Sequence, residues 1–353
     1  QAVAELFLDA LVVHDTTAGI PVRTCTALMW RSAFRFRHRV LEPAAADLSE
    51  AEWVCRSIGD RSLRERALAN LEIAKSSLGS DESSTEPLTG LDDAIAYYQR
   101  TSSHVWLRTA YFARARRLEK RGDAAAAERD FQAALDEGDA SRAKIDERQL
   151  RMSFTATADE IEDGYVEFLL RQHREEEAFE VADRRRMREL VDSPTARWQT
   201  MPGAGSLLPH VRSSLSFDAT LIEYRVLRET IVVWVIAPDA FHTHVLPVSI
   251  GEIESAIAAV ESPAQESMVR ANASFLYDVL VRRIEPLLKD AETLVIVPDD
   301  DLERIAYSGL YDRVQQRWLL DRCATFVAPS AELFAQSRRR WNERPTREDS
   351  VVV

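Results

Sequence analysis

Four consecutive apolar residues, Leu294-Val295-Ile296-Val297, end on Pro298 and three aspartates, Asp299, Asp300 and Asp301. A run this short, with no polar alternation, predicts a strand buried on both faces of a sheet. Pro298 has no N–H to offer a continuing ladder, so the strand stops there. The aspartates then fall in the loop at its carboxyl end, where open α/β sheets place their working groups. A second run, Cys323-Ala324-Thr325-Phe326-Val327-Ala328, is cut by Pro329 and followed by Ser330, a helix-start residue.

The residues just upstream supply more of the same sheet. Residues 219–226 (ATLIEYRV) and 230–236 (TIVVWVI) are rich in β-branched and aromatic side chains, and the three residues between them predict a hairpin. Residues 241–248 read as a third strand, and 251–262 and 267–289 as two helices. Three antiparallel strands, two helices and a buried parallel-type strand make an α/β domain over residues 206–353.

Residues 1–200 read differently, as helix after helix. Ala4, Leu8, Leu11 and Val12 form a stripe that ends near Gly19-Ile20-Pro21. The pattern resumes over 22–41, Leu48-Ser49-Glu50 opens a further helix, and Asp60-Arg61-Ser62 opens the next. Residues 79–90 (GSDESSTEPLTG) are a solvated loop by composition. Helix 106–118, the turn Arg121-Gly122-Asp123 and helix 124–135 then form a pair. In it Gly122, Ala127, Phe131 and Ala134 fall at tetratricopeptide-repeat spacing, where small residues let antiparallel helices approach. A second pair spans 165–170 and 175–190, with Ala178 and Ala182 and a turn at Gln172-His173-Arg174; an additional helix over about 140–154 separates the two. The competing description is a generic helical bundle. Ser193-Pro194 and Met201-Pro202-Gly203 mark the boundary. The expected fold class is multi-domain, α followed by α/β: tetratricopeptide-like helices over 1–200, then the sheet domain.

A net charge of −13 argues against a general nucleic-acid binder, which needs a dominant basic face. No apolar run approaches the roughly 20 residues of a membrane span. The three cysteines Cys25, Cys55 and Cys323 are odd in number and widely spaced, which argues against a disulfide framework or zinc site and for a reducing cytoplasm. The chain begins at Gln1 rather than Met, so a signal peptide is not judged from it.

Few residues offer chemistry. Asp299, Asp300 and Asp301 could hold a cation or receive a basic substrate side chain near a substrate cleft, or simply be loop acids. His242 and His244 share a strand face but lack an identifiable third metal ligand, so they read as solvent-facing. Cys323 reads as a buried structural thiol, and Cys25 and Cys55 as ordinary helix residues. The basic runs Arg35/Arg37/Arg39, Arg184-Arg185-Arg186 with Arg188, and Arg338-Arg339-Arg340 read as solvated helix faces paired with nearby acids such as Glu175-Glu176-Glu177. Ser213, Ser214 and Ser216 sit in no nucleophile elbow, and no glycine-rich phosphate loop is present. No metal site and no cofactor is expected.

The strand pair TLIEYRV and TIVVWVIAP, the strand LVIVPDD followed by Leu302, Ile305, Tyr307 and Leu310, the segment WLLDRCATFVAPS leading into Glu332-Leu333, and the helix LLRQHREEEAFEVADRRRMREL together resemble the CHAT family over 164–353. These are caspase-like domains associated with tetratricopeptide repeats. Where the family tends to carry Gly, His and Pro, this chain has Asp300, Glu303 and Ala306. The resemblance implies a fold related to caspases, gingipains and separases, and a cysteine protease whose His base and Cys nucleophile each end a strand. It places both downstream of the matched segments, so no catalytic residue is assigned here. On this reading the chain holds docking repeats and the non-catalytic half of a partner-activated, bacterial-type, cytoplasmic endopeptidase acting on a protein substrate, in defence or cell death. The alternative is a non-enzymatic repeat scaffold with a degenerate CHAT-like binding domain.

Overall fold

The computed structural model describes residues 2–78, 87–143, 155–192, 206–228, 230–248, 250–261, 266–288 and 291–342. Residues 79–86 of the loop expected over 79–90, the extra helix beyond 143, the boundary residues Ser193, Pro194 and 201–205, and the tail from 343 lie outside them; the last two residues of that expected loop, Thr89 and Gly90, instead open a helix. By contacts the chain divides into two compact units, residues 1–168 and 169–353. Among the described residues no helix is long and apolar enough to cross a membrane.

Among the described residues the regular elements of the first unit are all helices: α1 (Ala2–Thr17), α2 (Pro21–Arg37), α3 (Leu41–Ser57), α4 (Arg61–Leu78), α5 (Thr89–Arg100), α6 (His104–Lys120), α7 (Ala124–Ala143) and α8 (Thr155–Arg171), the last as far as Phe168. Leu48 does not open a helix; it lies in the middle of α3, which starts seven residues earlier. Pro43 sits in the first turn of α3, where its missing N–H would have had no helical partner anyway.

Ion pairs fix the direction of packing. Asp15 meets Arg23 at 3.1 Å, Asp9 meets Arg31 at 3.0 Å and Glu5 meets Arg35 at 3.6 Å. Each step back along α1 is a step forward along α2, so the two helices are antiparallel. Arg114–Asp130 at 2.6 Å and His104–Glu137 at 2.6 Å make α6 and α7 antiparallel in the same way. The tight connection between them passes through Gly122 at φ +79°, a conformation glycine adopts without Cβ strain.

Two further expectations for this unit are corrected. Arg35 is not a solvated-face residue: it and Arg31 converge on the buried carboxylate of Asp47, at 2.9 and 2.7 Å. Cys25 of α2 and Cys55 of α3 are fully buried and joined in a disulfide, with Cα atoms 5.5 Å apart. The odd count and long spacing concealed this pair, because adjacency is set by antiparallel packing of α2 on α3 rather than by separation along the chain. Around the bond, Leu28, Ala51, Val54 and Leu71 form one core cluster. Leu91, Ile95, Tyr98 and Leu107 form a second.

The second unit begins with α9 (Glu175–Asp192) and α10 (Leu207–Ser214), then enters the sheet: β1 (Ala219–Val226), β2 (Thr230–Ile236), β3 (Phe241–Pro247), α11 (Ile250–Glu261), α12 (Glu266–Leu280), β4 (Thr293–Val297), the small ladder β5 (Tyr311–Asp312) and β6 (Arg317–Trp318), β7 (Ala324–Val327) and α13 (Ala331–Asn342). The helix expected over 267–289 ends at Leu280; Pro286 cannot continue it, and the chain proceeds through a turn and a short 3-10 helix, Glu285–Leu288.

The sheet order is β3-β2-β1-β4-β7. β2 is antiparallel to both β1 and β3, while β4 is parallel to β1 and β7 parallel to β4. Alternation gives the sheet two different faces. Ile222, Tyr224, Val233, Val235, Leu294 and Ile296 pack with Ile253, Ile257, Leu276 and Leu280 of α11 and α12. The opposite face carries Glu223, Arg225 and Trp234, and Phe179 of α9 meets Trp234 and Phe241 edge-on there.

Candidate functional site

The carboxyl ends of β1 and β4 meet under α9, and their polar side chains form one buried cluster. β4 stops at Pro298, and Asp299 turns back beneath the sheet. Its carboxylate accepts the Val226 N–H at 2.8 Å, pairs with Arg186 of α9 at 3.1 Å and with Arg225 of β1 at 3.4 Å. Asp299 is therefore no solvated loop acid: it ties the ends of two parallel strands to a helix. Arg186 is 5% exposed, donates to the carbonyl of Tyr224 at 2.6 Å and also to that of Pro298. The expectation that Arg184 to Arg188 forms one solvated face fails at Arg186, because consecutive helix residues point in different directions and this one points inward.

Glu223 lies between them. It is fully buried, neither carboxyl oxygen has a hydrogen bond, and Arg186 Nε stands 3.5 Å away. Burial, with Asp183 and Asp299 adding to it against Arg186, pushes its carboxyl well above the usual range. Asp183 of α9 accepts the N–H groups of Ala331 and Glu332 at 2.7 and 3.0 Å. It caps α13 together with Ser330, whose hydroxyl accepts the Leu333 N–H at 2.9 Å. Burial raises Asp183 to about 6, against the pull of those two amides.

The other two predicted aspartates part company with Asp299. Asp300 is exposed and holds φ +51°, the left-handed region glycine favours, at a cost on the order of 1 kcal/mol in backbone strain. Partial burial, then Asp299 and Asp301, raise its carboxyl, with Arg185 opposing. Asp301 pairs with Arg304 at 3.0 Å, and Arg304 also binds Glu261. The three do not converge on a shared point, and no group of three or more metal-ligating side chains occurs among the described residues.

The thiol and imidazole groups are also separated. Cys323 is 6% exposed, donates to the Leu319 carbonyl at 3.8 Å, and burial raises its thiol. It precedes β7, at the amino end of the parallel strands. His242 and His244 lie on β3 at the other edge of the sheet, on the face that carries Leu246 toward the core; His242 is exposed and His244 half-buried. Four strand spacings of about 4.8 Å put roughly 19 Å between the two edges. Cys323 and this histidine pair cannot form a nucleophile–base dyad. Ser213 and Ser214 both donate to the His210 carbonyl, as helix residues do.

The repeat-packing candidates Ala127, Phe131 and Ala134 are buried in the first unit, and Ala178 and Ala182 in α9 of the second; Gly122 is the exposed turn glycine. Asp183, Glu223 and Arg225 were not singled out by sequence, and Arg186 was read only as part of a solvated basic run. The signal available was a pair of opposite charges two residues apart inside TLIEYRV: both point to one face of a strand otherwise too apolar to be solvated.

The fold is thus a helical unit followed by a mixed sheet flanked by helices, with its polar residues gathered where parallel strands end. Residues 270–353, the C-terminal end of the chain, match the family model of the CHAT domain. That match points to a caspase-like, protease-related function. No curated protein matches the chain.

Proposed function

We propose that residues 169–353 are the frame of a caspase-like cysteine endopeptidase, its non-catalytic half, and that the helices of the first unit are tetratricopeptide-like repeats that dock a protein partner. The partner switches proteolysis of a protein substrate on, as suits defence or cell death. The loop of Asp300 and Asp301 borders the cleft, while Asp299 and Arg186 hold that loop in place.

One observation carries this reading. Among the described residues β7 is the edge of the parallel half of the sheet, yet Phe326 and Val327, on opposite faces, are 55% and 51% exposed. Parallel sheets are normally covered on both faces, and an apolar edge strand is a template for further pairing. A frame awaiting another strand beside β7, and helices over it, has this appearance.

Intact mass of the protein isolated from its cells of origin tests the proposal. A mass above 40.0 kDa, with additional residues carrying a strand-terminal His and Cys whose substitution abolishes peptide hydrolysis, supports it. A 40.0 kDa protein with no co-purifying fragment and no hydrolysis would replace it with the non-enzymatic scaffold.

A further inference from the structure

In the sheet unit α12 and the β5–β6 hairpin border a cleft of about 540 Å³ that shares no residue with the cluster under α9. Ser267, Arg270, Ala271 and Ser274 recur at three- and four-residue steps, so one face of α12 forms one wall. Tyr311 and Arg313 form the other. The volume falls within the roughly 300–1,000 Å³ of small-molecule sites. The chain carries 58 acidic residues against 45 basic ones, yet every charged side chain among the described residues lining the cleft is an arginine. Both arginines are held in position. The Arg270 guanidinium lies 5.3 Å from the Tyr311 ring centre and 5.9 Å from that of Trp318, and these two rings meet edge-on at 4.8 Å. Arg313 pairs with Asp278 at 2.9 Å, a carboxylate it shares with Arg282 at 3.1 Å.

We propose that this cleft binds a phosphate monoester: a phosphoryl dianion carried on a small organic body. A guanidinium has five N–H donors in one plane, and stacking engages its faces while its edge is the part that grips phosphoryl oxygens two at a time. Arg270, set against two rings, has less rotamer freedom to lose when a ligand arrives. Two arginines also match the charge of a phosphate ester, which is close to −2 above its second pKa of about 6. The hydroxyls of Ser267 and Tyr311 add donors, whereas the Ser274 hydroxyl donates to the Arg270 carbonyl at 2.8 Å. Inorganic phosphate would leave most of the cleft to water, while the Ala271 methyl and the half-buried Tyr311 ring give an organic body an apolar wall. A bound ester bridges α12 and the hairpin, so binding stabilises the sheet unit. This site stands independently of the endopeptidase reading.

Isothermal titration calorimetry of the full chain with adenosine monophosphate, O-phosphoserine, inorganic phosphate and adenosine, at constant ionic strength, tests this. At least one of the two esters should bind with a dissociation constant on the order of 10–500 μM, at least fivefold tighter than inorganic phosphate, and adenosine should not bind. Arg270→Ala with Arg313→Ala should weaken the ester at least tenfold. Arg270→Lys, which keeps the charge but loses the planar fork, should weaken it at least threefold. Arg56→Ala with Arg61→Ala, an equal charge change at exposed ion pairs of the first unit, should leave binding unchanged. Circular dichroism checks that each variant keeps its helix content, and Arg313→Gln replaces the double variant if that one unfolds. No binding of either ester at 5 mM, inorganic phosphate or adenosine binding as tightly as the esters, or affinity indifferent to the Arg270 and Arg313 variants overturns the proposal.

Discussion

Arg186 and Asp299, 113 residues apart in sequence, are joined by a buried ion pair of 3.1 Å between α9 and the loop that ends β4. The same guanidinium serves the carbonyls of Tyr224 and Pro298. One side chain therefore anchors the helix entering the sheet unit to the ends of β1 and β4, and sets the position of the loop proposed to border the cleft.

Removing it should be costly. Arg186→Ala leaves Asp299 short of a partner and two carbonyls without a donor, and a broken buried pair costs about 3–5 kcal/mol. Arg186→Lys should recover only part of this, because a single ammonium lacks the planar fork that reaches three acceptors. Urea unfolding of the sheet unit followed by tryptophan fluorescence measures both.

Much of the sheet was legible because its determinants are local. The run 294–297 ends on Pro298, the hairpin strands are β-branched, and Ser330 caps its helix, each as expected from residue type. The cluster beneath α9 was not legible, since Arg186, Glu223 and Asp299 meet only when a helix packs across two strand ends. Asp299 was picked out for its place at a strand end, but its buried partners made it a structural tie rather than a solvated acid. The Cys25–Cys55 bond escaped for the same reason, being set by packing and not by spacing.

The buried acids make stability depend on pH in a definite direction. Folding raises Asp183 to about 6 and Glu223 well above its ordinary value. The folded state thus holds protons that the unfolded chain gives up near pH 4 to 4.5. Their contribution is favourable below that range and is lost as pH rises through the raised values. Glu223→Gln removes the share due to Glu223, so the variant should gain stability relative to the parent between pH 5 and pH 8. A difference that stays flat across that range would contradict the assignment.

The disulfide closes a span of 30 residues in the first unit. By chain entropy it should contribute about 3.5 kcal/mol. Cys25→Ala with Cys55→Ala should lower the unfolding free energy of that unit by about this amount and leave the sheet unit unchanged. Guanidinium unfolding with and without reductant, in the parent and the variant, separates the bond from the packing of its side chains.

Gly164 of α8 tests the aromatic core of the first unit. A Cβ built there would lie 2.6 Å from the Phe112 ring, which itself meets Phe131 at 6.0 Å between centroids. Alanine is the better helix former by about 1 kcal/mol, yet Gly164→Ala should destabilise by about 1–3 kcal/mol through overpacking. Thermal unfolding decides which effect wins.

The central claim is that these residues supply the frame of a caspase-like domain and not its nucleophile. Incubating the folded chain with a mixed peptide library and a thiol-reactive probe, followed by mass mapping, tests it most directly. No hydrolysis is expected, and Cys323, 6% exposed, should be labelled only after denaturation. Peptide cleavage by the folded chain that disappears in Cys323→Ser would contradict it.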